Sequence, residues 1–397
     1  MANTILTPTA VTRECQRVLH QKLNFVGRIN RQYDDSFAKD GAKIGDSLKI
    51  RMPNQFAVRT GATMTASGAT TDITESSVTL QVSTIKGVDM YFTSSELTLS
   101  LQDFSSRIID PAMSVLAANI ESDAMTMLLD VYQAVNNIGS AATFAKLLGG
   151  RKLLQDALAP GNKRTALLNT QDNVDLVDAL KGLFQASEEI KDQYREGTMG
   201  HAAGLDFYEN TLLPTHTSGT DANNCTVNGA SQTGATITIS NGSSKTFKKG
   251  DIVTFAGCNR VHPETKADTG ALQTFVVTAD VSAGGTSLGI SPSIVTSGAT
   301  QNVAASPTNG GTVTKMGGAS AVYKKSLLFQ QDAFCFATAD LVKPNGVDFA
   351  AREVVDGISM SVVRAFKIDD RSFPCRIDVL YGYKTLRAQL AALLLNN

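Results

Sequence analysis

No stretch of the 397-residue sequence reaches the ~18 consecutive apolar residues of a membrane span, and residues 1–12 have neither the basic head nor the apolar run of a secretion signal. The chain is therefore expected to be neither membrane-spanning nor secreted by a signal. An excess of charge of one sign is also missing. The formal net charge of −1 gives no overall basic field, which argues against a free-standing nucleic-acid binder held by phosphate contacts. Cysteine is sparse and scattered at positions 15, 225, 258, 335 and 375, with no CxxC pair and no zinc-finger spacing. A reducing cytoplasm suits that usage.

Catalytic and cofactor signatures are lacking too. No two glycines are separated by a single residue, so G-x-G-x-x-G is absent, and there is no G-x-x-x-x-G-K-[ST] phosphate loop. Gly45-Asp46-Ser47-Leu48 spells the opening of a lipase and esterase family, whose histidine follows an aspartate by three residues. The four histidines, His20, His201, His216 and His262, follow Arg17, Thr198, Leu213 and Asn259 at that offset. Gly285-Thr286-Ser287-Leu288-Gly289 fits G-x-S-x-G, but Gly284 and Pro292 frame it as a glycine-rich hairpin rather than a strand-to-helix elbow. Asp34 and Asp35 are adjacent and point apart in either helix or strand. His201 and His216 stand apart from carboxylates in the sequence and read as ordinary surface or loop residues. We therefore expect no enzyme, no catalytic or metal site and no cofactor.

What is present describes a folded protein, with 42% hydrophobic and 18% charged residues. Residues 11–31 carry Arg13, Arg17, Lys22, Arg28 and Arg31 against Glu14, interspersed with Val18, Leu19, Leu23, Phe25 and Val26. They read as a basic amphipathic arm, the alternative being a first helix packed on its own domain. Ile44, Leu48, Ile50 and Met52 share one face of a strand, and Val78, Leu80, Val82, Val88, Met90 and Phe92 share one face of a second. Two such strands of ~10 residues would form a hairpin of roughly 30 Å. Asp110-Pro111 offers a helix start, and Leu116, Ile120, Ala124, Met127, Val131 and Val135 step by three or four, predicting a rod of ~40 Å over 111–136.

Residues 144–213 alternate helix, strand and helix, and 172–192 hold Asp172, Asp175, Asp178, Glu188, Glu189 and Asp192 against Lys181 and Lys191. The composition shifts at about residue 215. Residues 215–320 contain 11 charged residues and 15 of the chain's 32 glycines, with short β-type runs at 236–240, 251–255, 272–278 and 287–290. That pattern predicts a small barrel or sandwich inserted into a parent fold that resumes afterwards.

The order of these segments resembles that of tailed-bacteriophage major capsid proteins, and in particular the podoviral coat-protein branch with an inserted domain. The strings that carry it include Asn30-Arg31-Gln32-Tyr33-Asp34-Asp35, Gly41-Ala42-Lys43-Ile44-Gly45-Asp46, Arg59-Thr60-Gly61-Ala62, Lys86-Gly87-Val88-Asp89 and Phe92-Thr93-Ser94-Ser95-Glu96-Leu97. In the insertion they are Lys249-Gly250-Asp251-Ile252-Val253-Thr254 and Asn259-Arg260-Val261-His262-Pro263.

The resemblance implies an α+β chain with the Johnson-type phage capsid fold. Residues 1–40 would be an N-terminal arm, 41–92 an extended loop with flanking strands, and 93–140 a peripheral domain with a spine helix. Residues 141–214 would be an axial domain, 215–320 an inserted β-barrel domain, and 321–397 the return to axial and peripheral domains. It further implies self-assembly of pentamers and hexamers, aided by a scaffolding protein, into an icosahedral procapsid. The shell would carry a portal and enclose double-stranded DNA without reading its sequence. It would form in the host cytoplasm and end in the virion. The charge pattern adds candidate contacts between subunits, with basic Arg13, Arg17, Arg28, Arg31, Lys49, Arg51 and Arg59 lying over acidic Asp172, Asp175, Asp178, Glu188 and Glu189 of a neighbour. A tail or adhesion component binding a cell-surface ligand is the other reading, since the Thr/Gly/Ser-rich β region suits adhesion.

Overall fold

The computed structural model describes residues 12–15, 17, 19, 23–31, 47–56, 58, 61–62, 76–92, 109–180, 200–221, 223–242, 244–341, 344, 346–347, 349–355, 358–368 and 373–396. They fall into two units. One spans 1–50, 78–125 and 334–386, the other 51–77, 126–333 and 387–397.

In chain order the elements are β1 (Ser47–Arg51), β2 (Ser77–Gln81), β3 (Thr84–Phe92), α1 (Asp110–Ala124), β4 (Ala134–Asn136), α2 (Phe144–Asp156), β5 (Arg164–Leu168), α3 (Thr170–Leu180), β6 (His201–Ala202), β7 (Leu205–Glu209) and β8 (Thr215–Thr217). There follow β9 (Cys225–Val227), β10 (Gly234–Ser240), β11 (Ile252–Val261), β12 (Asp268–Val277), β13 (Ser287–Ile294), β14 (Thr312–Lys315), β15 (Val322–Gln330), β16 (Phe334–Ala339), β17 (Phe349–Val355), β18 (Ile358–Arg364), β19 (Phe373–Thr385) and β20 (Ala391–Asn396).

The first unit is built on a five-stranded antiparallel sheet in which the long β19 pairs with β3, β16 and β18, and β17 lies on β18. Helix α1 packs against β3 through Met113, Leu116, Ala117, Ile120 and Ala124, the face set by three- and four-residue spacing. Asp110 is not the cap that the sequence pointed to. Ile109 holds that position in helical conformation with no side-chain bond, and Asp110 sits in the first turn, where its charge suits the helix dipole.

The expected rod over 111–136 is not formed. Helix α1 ends after 15 residues, about 22 Å at the usual rise, and Met125–Asp130 continues as a 3₁₀ helix before β4. The apolar stripe persisted across the break because Met127 and Val131 are buried as well. Burial continues where the helical pitch changes.

The predicted hairpin is also shorter. β1 and β2 pair over five residues each, about 17 Å, and the run then breaks at Val82 and Ser83. Beyond the break β3 changes partner to β19. Alternation continues through the break because Leu80 and Val82 fill a core with Ile50, Cys335 and Leu380, while Val88 and Met90 half-cover the next sheet face.

The arm reading is corrected for residues 23–31. Leu23, Phe25, Val26 and Ile29 are buried, Glu121 of α1 accepts bonds from the backbone N–H groups of Phe25 (2.7 Å) and Val26 (3.2 Å), and Asn30 bridges to β16. That segment packs on its own unit. A buried carboxylate placed to receive two backbone donors fixes it there.

In the second unit the sheet runs β4-β20-β15-β5-β7-β6, with β8 pairing the start of β15. α2 packs on β20, β4 and β15, and its Thr143 cap accepts from the N–H of Lys146. β10, β13, β12, β11, β14 and β9 close into a barrel around Phe247, Phe255, Phe275, Ile237, Leu288 and Val313. Closure leaves no free sheet edge, which suits a segment this poor in charge.

Candidate functional site

The chain enters the barrel through β8 and leaves it into β15, and these two strands pair with His216 opposite Tyr323. Barrel and sheet therefore share a two-stranded neck, where a cluster of buried polar groups collects. Asp251, wholly buried, takes the Nε2 of His216 at 2.8 Å on one oxygen and the N–H groups of Gly219 (3.0 Å) and Lys248 (2.8 Å) on the other. Its two oxygens serve three donors from two segments. Lys315 donates from Nζ to the Ser218 hydroxyl (2.9 Å), the Gly219 carbonyl (2.6 Å) and the Gly318 carbonyl (2.9 Å). Lys325 donates to the Gly250 carbonyl at 2.7 Å.

Two glycines let the backbones close. Gly250 has φ +91°, and a Cβ there would lie 2.7 Å from Leu129 and 3.1 Å from the Lys325 amine. A Cβ on Gly219 would fall 2.1 Å from the Thr246 carbonyl oxygen. At Gly219 a side chain would run into backbone, and at Gly250 it would strain the positive φ and displace neighbouring side chains.

The same unit holds a second buried network. Asp172 accepts from the Ser326 hydroxyl and from Asn396 (2.8 Å), which in turn accepts from Asn137 at 2.7 Å, so α3, β15, β20 and the residue after β4 are tied together. Burial raises the Asp172 carboxyl, with Ser326, Asn396 and Asn169 opposing. Asp172 is fully enclosed and leaves the set of candidate contacts between subunits.

The histidine expectation changes for His216, whereas His201 is exposed on β6. His201 lies 2.7 Å from Asp206, and His216 is buried against Asp251. Their partners are near in space and unremarkable in sequence, 35 residues away in the second case. A lysine on the parity of Tyr323, Leu327 and Phe329 was the one available signal that Lys325 points inward.

These groups do not assemble a nucleophile and base. All three donors of Lys315 are spent on oxygens, so its nitrogen has no lone pair to offer. Burial pushes the five thiols up, Cys225 and Cys375 to about 11 and Cys15, Cys258 and Cys335 to about 12, so none is a thiolate at neutral pH. Among the described residues there is no group of three or more His, Cys, Asp or Glu able to hold a metal, and no helix is long and apolar enough to cross a membrane.

The remaining candidate contacts differ in their surroundings. Arg13 is exposed and 4.0 Å from Glu353, while Arg17 makes a two-pronged bond to Glu14 that spends its charge locally. Arg28 and Arg31 donate to carbonyls of their own segment, those of Asn24 and Gly27. Lys49 and Arg51 lie on the exposed face of β1, opposite Leu48 and Ile50. Asp175 accepts from the N–H of Ala142, and Asp178 is exposed. Arg59, Glu188 and Glu189 lie outside the described residues.

The family model described as P22 coat protein, gene protein 5, matches residues 27–395. No curated protein matches the chain. Similar solved structures include one from Mycobacterium phage Che8, with 14% identity over 94% of this chain and 90% of that chain and a TM-score of 0.48. The capsid of Ralstonia phage GP4 shares 6% identity over 94% and 90%, with a TM-score of 0.46. The mature capsid of bacteriophage PhiM1 shares 10% over 94% and 89%, at 0.45. All three TM-scores lie below 0.5, too low to establish a shared fold.

Proposed function

The chain belongs to the P22 coat protein family and is a major capsid protein of an icosahedral phage shell, and within that role we propose a division of labour among its parts. The single observation behind the role is the family match over residues 27–395. The structural role that match carries is that of a shell subunit rather than an enzyme, with the virion as its place. The adhesion reading has no comparable support.

The finer arrangement is our own reading. The sheet of β3 and β16–β19 with α1 serves as the peripheral domain of a Johnson-type fold, the mixed sheet of β4, β5, β7, β15 and β20 as the axial domain, and the closed barrel as the inserted domain. Copies assemble around a scaffolding protein into a procapsid with a portal and then enclose double-stranded DNA, the assembly taking place in the host cytoplasm. Negative-stain microscopy of the chain expressed with and without a candidate scaffolding protein tests this. Closed, uniform shells only in the co-expression are the expected result, and slender trimers would overturn it.

Contacts between copies rest on paired charge. Arg13, Lys49, Arg51 and Arg59 face Asp175, Asp178, Glu188 and Glu189 of a neighbour, each pair contributing only ~0–1 kcal/mol. Weak, repeated pairs let a wrongly placed subunit dissociate before it is trapped. Reversing charge with Arg51→Glu and Arg59→Glu together is expected to lower the yield of shells and flatten its salt dependence. Unchanged yield and unchanged salt dependence would show that these charges only solubilise the surface.

A further inference from the structure

The two buried lysines of the neck differ in a way that a purely structural role does not explain. Lys315 has an oxygen for each of its three N–H donors, the arrangement an ammonium requires. Lys325 is also wholly buried, yet its Nζ donates to the Gly250 carbonyl alone, with Leu129 and the His216 ring lying, like the amine, against Gly250. With one donor bond, a buried neutral amine leaves one N–H over, fewer than an ammonium would.

We infer that the neck is a proton-operated latch: neutral Lys325 fastens the turn at Lys248–Asp251 to the sheet, and its protonation loosens barrel from sheet. Protonation raises the donors without an acceptor from one to two, because the oxygens of Asp251 are already engaged by His216, Gly219 and Lys248. Burial, opposed by the charge of Asp251, lowers the Lys325 amine from its ordinary 10.5 to about 7. The other ionisable groups around the cluster are His216 from β8, Lys315 and Asp221 from the barrel side, Tyr323 on the same strand, and the Lys248–Asp280 pair at the rim.

The sign is set by which state binds the proton. The closed neck holds an amine that gives up its proton near pH 7, whereas the opened neck holds a solvated lysine that keeps it to about 10.5. Opening therefore takes up a proton between those values, so the latch tightens as pH rises above about 7 and is slackest below it.

Hydrogen–deuterium exchange of the full chain, corrected for the intrinsic pH dependence of amide exchange, reads the latch directly. Peptides covering 216–221, 248–252 and 322–326 report the neck, and barrel strand 272–277 is the internal control. Protection of the neck is expected to rise roughly tenfold or more from about pH 7 to about pH 9 while the control stays constant. In Lys325→Met the profile should be flat. Lys325→Gln, which keeps one N–H for the Gly250 carbonyl, repeats the comparison if the methionine variant does not fold. A flat profile in the unmodified chain overturns the latch. So does a slope that survives in either Lys325 variant, and a slope abolished by His216→Asn but kept in Lys325→Met would assign the titration to the histidine instead.

Discussion

Replacing Asp251 by alanine is expected to destabilise the second unit by about 3–5 kcal/mol, because it strips the partner from several buried groups at once. His216 loses its acceptor, the buried N–H of Gly219 is left unsatisfied, and so is the part-buried N–H of Lys248. Each orphaned donor alone costs about 1–3 kcal/mol. For a unit of this size the unfolding midpoint should fall on the order of 10 °C by differential scanning calorimetry of the unassembled chain. Asp251→Asn keeps one acceptor and should recover part of the loss. A midpoint within about 2 °C of the unmodified protein, in both variants, would mean that the cluster does not hold barrel to sheet.

Removal of residues 391–396 should be harsher still and leave no cooperative transition for the mixed sheet. Chain ends usually tolerate trimming because little is packed on them. β20 is different: it lies between β4 and β15, pairs with β15 along Lys324–Phe329, and buries all six of its residues. Burial of Leu393, Leu394 and Leu395 contributes about 1.5–3 kcal/mol each, a large share of the ~5–15 kcal/mol a domain has in total. Asn396 additionally closes the Asp172 network. The single substitution Leu394→Ala should cost about 2–5 kcal/mol and keep the transition. A truncated chain that still shows near-ultraviolet dichroism and cooperative melting would contradict the central role given to this strand.

Legibility followed the range over which each pattern acts. The strands at 236–240, 251–255, 272–278 and 287–290 were visible because alternation and glycine turns are local, and β10, β11, β12 and β13 stand there. α2 and β5 were visible for the same reason, with Pro160-Gly161 separating them. The run across Val82 and the stripe through Met127 misled because burial continued while conformation changed. The packing of residues 23–31 depended on Glu121, about a hundred positions away, and no local pattern discloses such a partner.

The resemblance to coat proteins was legible in strings spread over nearly the whole chain. By itself the sequence determined the type of most elements, the β character of 215–320 and the exposed basic face of β1, since each depends on residues two to four apart. Tertiary structure alone decided the neck. It brought His216, Asp251, Lys315 and Lys325 into one buried cluster and gave three acceptors to one lysine and one to the other. It also turned Asp172 from an apparent surface charge into a core acceptor. The physical reason is common to these cases: the cost of burying a charge depends on which distant donors and acceptors surround it, and only the folded chain sets that.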